Sequence, residues 1–462
     1  VEKYDLVVIG SGPAGEKAAI QAAHYRKKVC VVESRGVVGG VCVHTGTMPS
    51  KTLRETVLYL SGLRQRSVYG VVCSVKSDVT IAELMYRTEH VIQNEIDVIQ
   101  NNLMRNGITV VSGRGRLITP NQVEVMDETG NSRVLETDFI IIAAGSRPYR
   151  HPGITFDDTH VFDGETILKL DRIPRSMIIV GGGVIGCEYA CIFAHLGVRV
   201  TVIEGREHLL PFLDREISET LTFLMRKNRI KVILGDHMES VEKIDDEMHF
   251  SSKAGRKIIA DKILFALGRV GNTKTLGVDK VGVKIDNRGL INVNDHFQTS
   301  VDKIYAVGDI IGFPSLASVS MDQGRLAAQH AFENKDMELN KLLPYGIYTI
   351  PEVSIVGETE ESLTRKGIPY ETGIARFYEL ARGQIAGDHD GELKLIFCPE
   401  TKKLFGVHII GESATDLIHI GQAVMTFGGT IDYFIKTVFN FPTMSEAYKL
   451  AALNGLGSIT RQ

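Results

Sequence analysis

The 462-residue sequence predicts an α/β protein with two parallel-sheet domains of one kind followed by a smaller α+β segment. Three observations predict it. An apolar run, a glycine-rich turn, an Ala-rich helical stretch and a second apolar run ending in an acid follow one another near the N-terminus. The same order recurs from Met177 onward. Beyond about residue 345 the pattern changes to period-two alternation broken by Pro and Gly, as an antiparallel sheet requires.

Each element can be justified in order. Asp5-Leu-Val-Val-Ile9 is a short continuous apolar run, which fits a parallel strand covered on both faces. Gly10-Ser-Gly12-Pro-Ala-Gly15 punctuates it, a helix runs to about Arg26, and Val29-Cys-Val-Val-Glu33 is the next strand. Residues 108–146 read as short strands ending in Phe139–Ser146. The second copy consists of Met177–Val180, Gly181-Gly-Gly183-Val-Ile-Gly186, a helix to Leu196, and Arg199–Glu204. Residues 259–268 and Asp302–Asp309 each end a strand in a glycine turn. Pro344, Pro351 and Gly357 separate later strands, residues 368–411 alternate as in an antiparallel sheet, and the C-terminus is helical. No low-complexity linker divides these parts.

The glycine spacing has a physical basis. The first glycine permits a tight turn, the second lets backbone approach a pyrophosphate, and the third lets the helix lie close on the strand. The pyrophosphate then meets free N–H groups at the positive end of a helix dipole. An acid at the tip of the second strand accepts the ribose hydroxyls of an adenosine. Glu33 lies 18 residues beyond Gly15, and Glu204 lies 18 beyond Gly186. One such turn is weak evidence of a dinucleotide; two in full strand–helix–strand context, each ending in Glu at the same offset, are strong.

Composition excludes several classes. A net charge of −4 with both signs interspersed leaves no basic footprint for nucleic acid. No apolar run approaches the roughly 20 residues that span a bilayer, so no membrane association is expected. The chain enters an apolar strand directly after Val1-Glu-Lys-Tyr, from which a cytoplasmic location without a signal peptide is expected. The six cysteines (30, 42, 73, 187, 191 and 398) are too scattered for a disulfide framework. Cys187 and Cys191 stand four apart on a helix without a further ligand to complete a metal site, so helix packing is expected and no metal.

Taken together these segments resemble the FAD-dependent pyridine nucleotide–disulfide oxidoreductase superfamily across essentially the whole chain. The resemblance is carried by Gly10–Gly15 with Glu33, Gly39-Gly-Val-Cys42 leading to Pro49-Ser-Lys51, Ala143-Ala-Gly-Ser146, the second glycine turn, Gly268-Arg269, and Tyr305-Ala-Val-Gly-Asp309. It implies two Rossmann-like domains, one for FAD and one for NAD(P), plus a C-terminal α+β dimerisation domain and hence a homodimer or larger homo-oligomer. The implied boundaries are 1–150 for the first FAD part, 151–270 for NAD(P), 271–344 for the second FAD part, and 345–462 for dimerisation. Implied FAD contacts are Gly10, Gly12, Gly15, Glu33, Ser34, Gly40, Cys42, Thr47, Lys51, Gly115, Ala144, Gly145, Ser146, Gly308, Asp309 (at the ribitol chain), and Leu316 and Ala317 (at the pyrimidine edge). Implied NAD(H) and NADP(H) contacts are Gly181, Gly183, Gly186, Glu204 and Arg206, with Gly268 and Arg269 completing the cofactor set.

The departures narrow the chemistry. Disulfide reductases of the superfamily carry Cys-x-x-x-x-Cys beside the flavin and a C-terminal His-Pro-Thr-x-x-Glu. Here the first motif reads Cys42-Val-His-Thr-Gly-Thr47 and the second Phe441-Pro-Thr-Met-Ser-Glu446. A threonine hydroxyl cannot close a disulfide, and phenylalanine carries no proton to exchange. Both losses fall on the thiol half-reaction. The resemblance then implies FAD-dependent hydride transfer between NADPH and NAD in ping-pong fashion, with Lys51 expected to approach flavin N5 and to pair with Glu188 as the catalytic residues. Glu204 suits the 2′-hydroxyl of NAD, and Arg206 is the counter-charge for the 2′-phosphate of NADP. Cys42 is expected to be an inert remnant, and His44 is given no role. The same residues would also serve an NAD(P)H oxidase or quinone reductase, or a redox-sensing flavoprotein.

Overall fold

The structure is a computed structural model, and it describes residues 2–61, 80–333 and 338–460; Cys73 lies outside them. The chain divides into two compact units. The first comprises Val1–Thr52, Met85–Tyr149 and Gly268–Asn340, and the second Leu53–Leu84, Arg150–Leu267 and Lys341–Gln462.

In the first unit a parallel core runs Thr109–Ser112, Val29–Glu33, Glu2–Ile9 and Ser132–Ile142, with Ile304–Ala306 also pairing Ser132–Ile142. Gln122–Met126 and Arg114–Thr119 extend it antiparallel. Val7 lies opposite both Cys30 and Ile140, so the first strand is central, and Leu6, Val7 and Val8 are fully buried. That position explains the unbroken apolar run, because both faces are covered. The helix Pro13–His24 starts on Gly12 with Pro in its first turn, where the missing N–H costs nothing. It packs against Ala317–Glu333 at small residues: a Cβ built on Gly324 would come 2.0 Å from the Ala14 carbonyl oxygen.

In the second unit the parallel sheet runs Lys231–Leu234, Arg199–Glu204, Ser176–Val180, Lys262–Phe265 and Val161–Asp163. A three-stranded antiparallel sheet spans Met238–Ala260. The C-terminal sheet is antiparallel, in the order Tyr345–Ile347, Glu352–Gly357, Leu404–Gly411, Glu392–Phe397 and Glu371–Arg376. One apolar core joins Leu53, Val57 and Leu84 to Phe162, Ile192 and Ile217 and on to Ile347 and Val353. Segments that the sequence separates by motif, 151–270 and 345–462, therefore share a compact unit. The return to the first unit falls at Gly268, just inside the boundary drawn at 270.

One sequence expectation is corrected. Residues 368–411 do not alternate throughout: Phe377–Glu379 is a 3₁₀ turn and Ala381–Ala386 a helix. Glu392–Phe397, where polar and apolar residues do alternate, is buried along its whole length. Lys394, 1 % exposed, points not to water but to Asp214, Glu216 and Glu360, with Nζ 2.9 Å from Asp214 Oδ1 and 2.8 Å from Glu216 Oε2. Binary patterning assigns a lysine to solvent, and here three carboxylates substitute for solvent. The helices Thr47–Ser61 and Ile81–Arg105 are additions of the structure to the elements read from the motifs.

Candidate functional site

The two glycine turns are built alike. Gly10 has φ +107° and Gly181 φ +114°, and a Cβ at either would lie 2.4 Å from a carbonyl oxygen of the neighbouring strand, Ala143 or Ala266. At Gly15 and Gly186 a Cβ would come 1.9 Å from the oxygen of Gly10 or Gly181. These four glycines are required by packing within the protein. The middle glycines differ. A Cβ on Gly183 would meet nothing within 4 Å, and one on Gly12 would meet Gly40 Cα at 3.9 Å. Space beside these two is what a phosphate approaching the backbone would use. Neither following helix, Pro13–His24 or Val184–His195, has a side-chain cap at its start, so each presents backbone N–H groups suited to an anion.

In the first unit the turn opens on a cavity of about 770 Å³. Of the residues expected at FAD, Gly10, Gly12, Glu33, Ser34, Gly40, Cys42, Thr47, Gly115, Ala144, Gly145, Ser146, Gly308, Asp309 and Ala317 line it. Gly15 is packed beneath the turn, and Leu316 gives its carbonyl to the Ser320 N–H at 2.8 Å. Glu33 is buried; its Oε2 accepts the Ser11 hydroxyl at 2.5 Å and the Ser11 N–H at 3.1 Å, while Oε1 accepts the Arg35 N–H at 2.8 Å. Gly40 brings its backbone against Gly12, where a Cβ would stand 2.9 Å from Gly12 Cα. Four cations that the sequence reading did not single out, Arg35, Arg114, Arg147 and Lys274, also line the cavity. Their positions beside the strand ends were the available signal. A cavity with cationic walls, a glycine turn and an adenosine-binding acid fits FAD.

Ser146 and Asp309 line the same cavity, and with Arg269 they form a relay. Arg269 Nε donates to Ser146 Oγ at 2.7 Å and Nη2 to the Ser146 carbonyl at 2.7 Å, while the Ser146 hydroxyl donates to Asp309 Oδ2 at 2.8 Å. The pairing of strand Ser146–Pro148 with Arg269–Gly271 sets this register. The sequence named all three residues but not their linkage, because Ser146 lies 123 positions from Arg269 and 163 from Asp309.

Thr47, standing where a second cysteine would, lines the cavity together with Cys42. Burial pushes the Cys42 thiol above its ordinary value, outweighing the lowering effects of the Thr47 hydroxyl and the Lys51 charge. A thiol so raised is a poor nucleophile at neutral pH. His44 bonds the Val38 carbonyl through Nε2 at 2.9 Å. Cys187 and Cys191 are buried and free, consistent with helix packing.

In the second unit Glu204 is buried, and its Oε2 accepts the Gly182 N–H at 2.6 Å. Arg206 grips the same carboxylate through Nε at 2.8 Å and Nη2 at 2.9 Å. Burial raises this carboxyl, but the Arg206 bonds and the Gly182 N–H outweigh it and hold it below the ordinary value. Glu188 is buried, with Oε1 accepting the Tyr348 N–H at 2.9 Å. Lys51 belongs to the first unit and Glu188 to the second. Phe441 is 74 % exposed. Among the described residues no helix is long and apolar enough to cross a membrane. The acids Asp214, Glu216 and Glu360 lie close enough together to suggest a cation, and the Lys394 ammonium bonds all three.

Two glycine turns of dinucleotide-binding form, one opening on a large cavity beside a thiol turn, define a two-nucleotide oxidoreductase. The chain belongs to the pyridine nucleotide-disulphide oxidoreductase family, whose model matches residues 4–324, with the family's dimerisation domain at 343–452. It is 50% identical over 455 residues to a soluble pyridine nucleotide transhydrogenase of Mycobacterium bovis, covering 98% of this chain and 97% of that one. It is 46% identical to the protein of that name from Photorhabdus laumondii, with 99% of each chain covered. Among solved structures it is similar to LpdA from Mycobacterium tuberculosis (TM-score 0.90, 25% identity, 98% and 99% of the two chains). It is also similar to the HOCl-induced flavoprotein disulfide reductase RclA from Escherichia coli, there in a Cu(II) complex (TM-score 0.89, 25% identity, 98% and 99%).

Proposed function

We propose that this chain is a cytoplasmic, homodimeric FAD-dependent transhydrogenase that moves hydride from NADPH to NAD by a ping-pong route. The observation that carries the reading is the missing thiol machinery: Thr47 stands beside Cys42, and Phe441 where a proton-exchanging histidine would be needed. The names of the relatives at 50% and 46% identity support it. Phe427, Val438 and Phe441 expose apolar side chains in the segment that the dimerisation model matches, which suits an interface between copies.

Bound FAD supplies hydride acceptance and return, and the protein supplies position and charge. Glu33 would hold the adenosine ribose at the first turn, and Arg35, Arg114, Arg147 and Lys274 would supply positive charge for the diphosphate. Asp309 takes the ribitol chain, its orientation fixed by Ser146 and Arg269. Lys51 and Glu188 are the residues assigned the catalytic roles, as the family resemblance implies. Gly181, Gly183 and Gly186 take the pyrophosphate of NADPH and NAD in turn, with Glu204 and Arg206 at the adenosine ribose.

Steady-state turnover tests this. NADPH with an NAD analogue is expected to give parallel double-reciprocal lines, and oxygen, quinones, lipoamide and glutathione disulfide far slower turnover. Comparable rates with a disulfide would contradict the reading, and faster turnover with oxygen or a quinone would make the protein an oxidase or quinone reductase.

A further inference from the structure

The acid of the second turn is engaged by a mobile cation as well as by backbone. Glu204 receives the N–H groups of Gly182 and Arg206 at 2.6 and 2.9 Å, and the Arg206 guanidinium at 2.8 and 2.9 Å. A ribose diol that binds this carboxylate competes with these donors. The backbone donors are fixed. Arg206 O accepts the Gly235 N–H at 2.9 Å, and Glu204 O accepts the Asp236 N–H at 3.2 Å. The His237 ring lies on Gly205, where a Cβ would come 2.3 Å from the ring. The Arg206 side chain is different: it is 53% exposed against 7% for Glu204. Of the two ion-pair partners, one is held in the protein and the other can rotate into water at little desolvation cost.

Resting on the transhydrogenase reading, we propose that Arg206 is a two-position gate that fits a single site to both nucleotides. Closed on Glu204, it presents a neutralised pair to a 2′-phosphate, where a bare carboxylate would repel it, and its fork can turn onto the phosphate. Swung outward, it yields Glu204 to the 2′- and 3′-hydroxyls of an unphosphorylated ribose. The same side chain therefore favours NADPH and competes with NADH. A plain phosphate clamp would leave NADH unaffected, and a purely structural pair would harm both nucleotides when broken.

Binding of adenosine half-ligands to the FAD-loaded protein tests this without hydride transfer, using 2′,5′-ADP and 5′-ADP in calorimetry. In Arg206→Ala, 2′,5′-ADP is expected to bind roughly 100-fold more weakly and 5′-ADP roughly 3- to 10-fold more tightly. Glu204→Gln is expected to reverse the pattern, weakening 5′-ADP and not 2′,5′-ADP. Arg206→Lys, a milder change, should shift both ligands in the same directions by less. Unchanged or weaker 5′-ADP binding in Arg206→Ala would overturn the gate, as would equal losses for both probes. Anaerobic flavin reduction of the unaltered protein by NADPH and by NADH is measured alongside. Failure there would remove the transhydrogenase reading, while the half-ligands still decide the gate.

Discussion

The two glycine turns use the same backbone and solve the same electrostatic problem differently. In both, a glutamate at the tip of the second strand reaches back to the residue after the first glycine and to the backbone N–H two residues beyond itself. In the first turn that neighbour is Ser11, whose hydroxyl bonds Glu33. In the second it is Gly182, where a Cβ would come 2.5 Å from the Leu209 side chain, and Arg206 supplies the side-chain bonds to Glu204. A neutral donor preserves an acid suited to a ribose diol, as a permanently held cofactor needs. A guanidinium paired to the acid lowers its net charge, which suits the exchangeable substrate proposed for this turn. Ser11 and Gly182 are thus a residue-level difference between two turns that each carry an arginine two positions beyond the acid.

Breaking the shared backbone should have the largest effect and should separate the two turns. Gly15→Ala and Gly186→Ala each force a methyl to within 1.9 Å of a carbonyl oxygen. Gly15→Ala is expected to purify without FAD, whereas Gly186→Ala keeps its flavin absorbance and loses roughly 100-fold or more in the rate of flavin reduction by NADPH. Equal flavin loss in both variants would mean the turns do not divide the work.

Ser11→Ala removes the neutral donor from buried Glu33. FAD affinity is expected to fall roughly 5- to 20-fold, measured by flavin release on dilution, with NADPH half-saturation unchanged. An altered nucleotide preference in this variant would blur the distinction between the turns.

A smaller effect appears in pH dependence. Glu204 is held below the ordinary carboxylate value, so its contribution is present above that range and is lost only as pH falls through the depressed value. Binding of 5′-ADP to the unaltered protein, corrected for titration of the ligand's own phosphate, should therefore be flat from pH 8 to about 5. In Arg206→Ala the raising effect of burial loses its main opponent, the carboxyl titrates at higher pH, and 5′-ADP affinity should fall as pH drops towards about 5. A flat profile in the variant would show that Arg206 does not set the charge of Glu204.

How far the sequence was legible follows from the same contrast. Both turns, the central strands and the acids could be read because each rests on local spacing, and the structure places Gly10, Gly15, Gly181 and Gly186 at contacts that admit no side chain. The C-terminal segment was partly misread because Lys394 sits in a buried strand, and its partner Asp214 is 180 residues away. The Ser146–Arg269–Asp309 relay and the Arg206 grip on Glu204 were likewise invisible as contacts: the first is assembled by strand pairing, and the second is a side-chain orientation that spacing does not set.

The central claim is that the flavin is the sole electron store, since Thr47 and Phe441 offer neither sulfur nor imidazole to extend it. Anaerobic titration of the FAD-loaded protein, followed by addition of NAD⁺, tests this most directly. The account predicts an endpoint of two electrons per FAD, no long-wavelength thiolate–flavin band, and full return of the oxidised spectrum with NAD⁺. An endpoint of four electrons with such a band would contradict it.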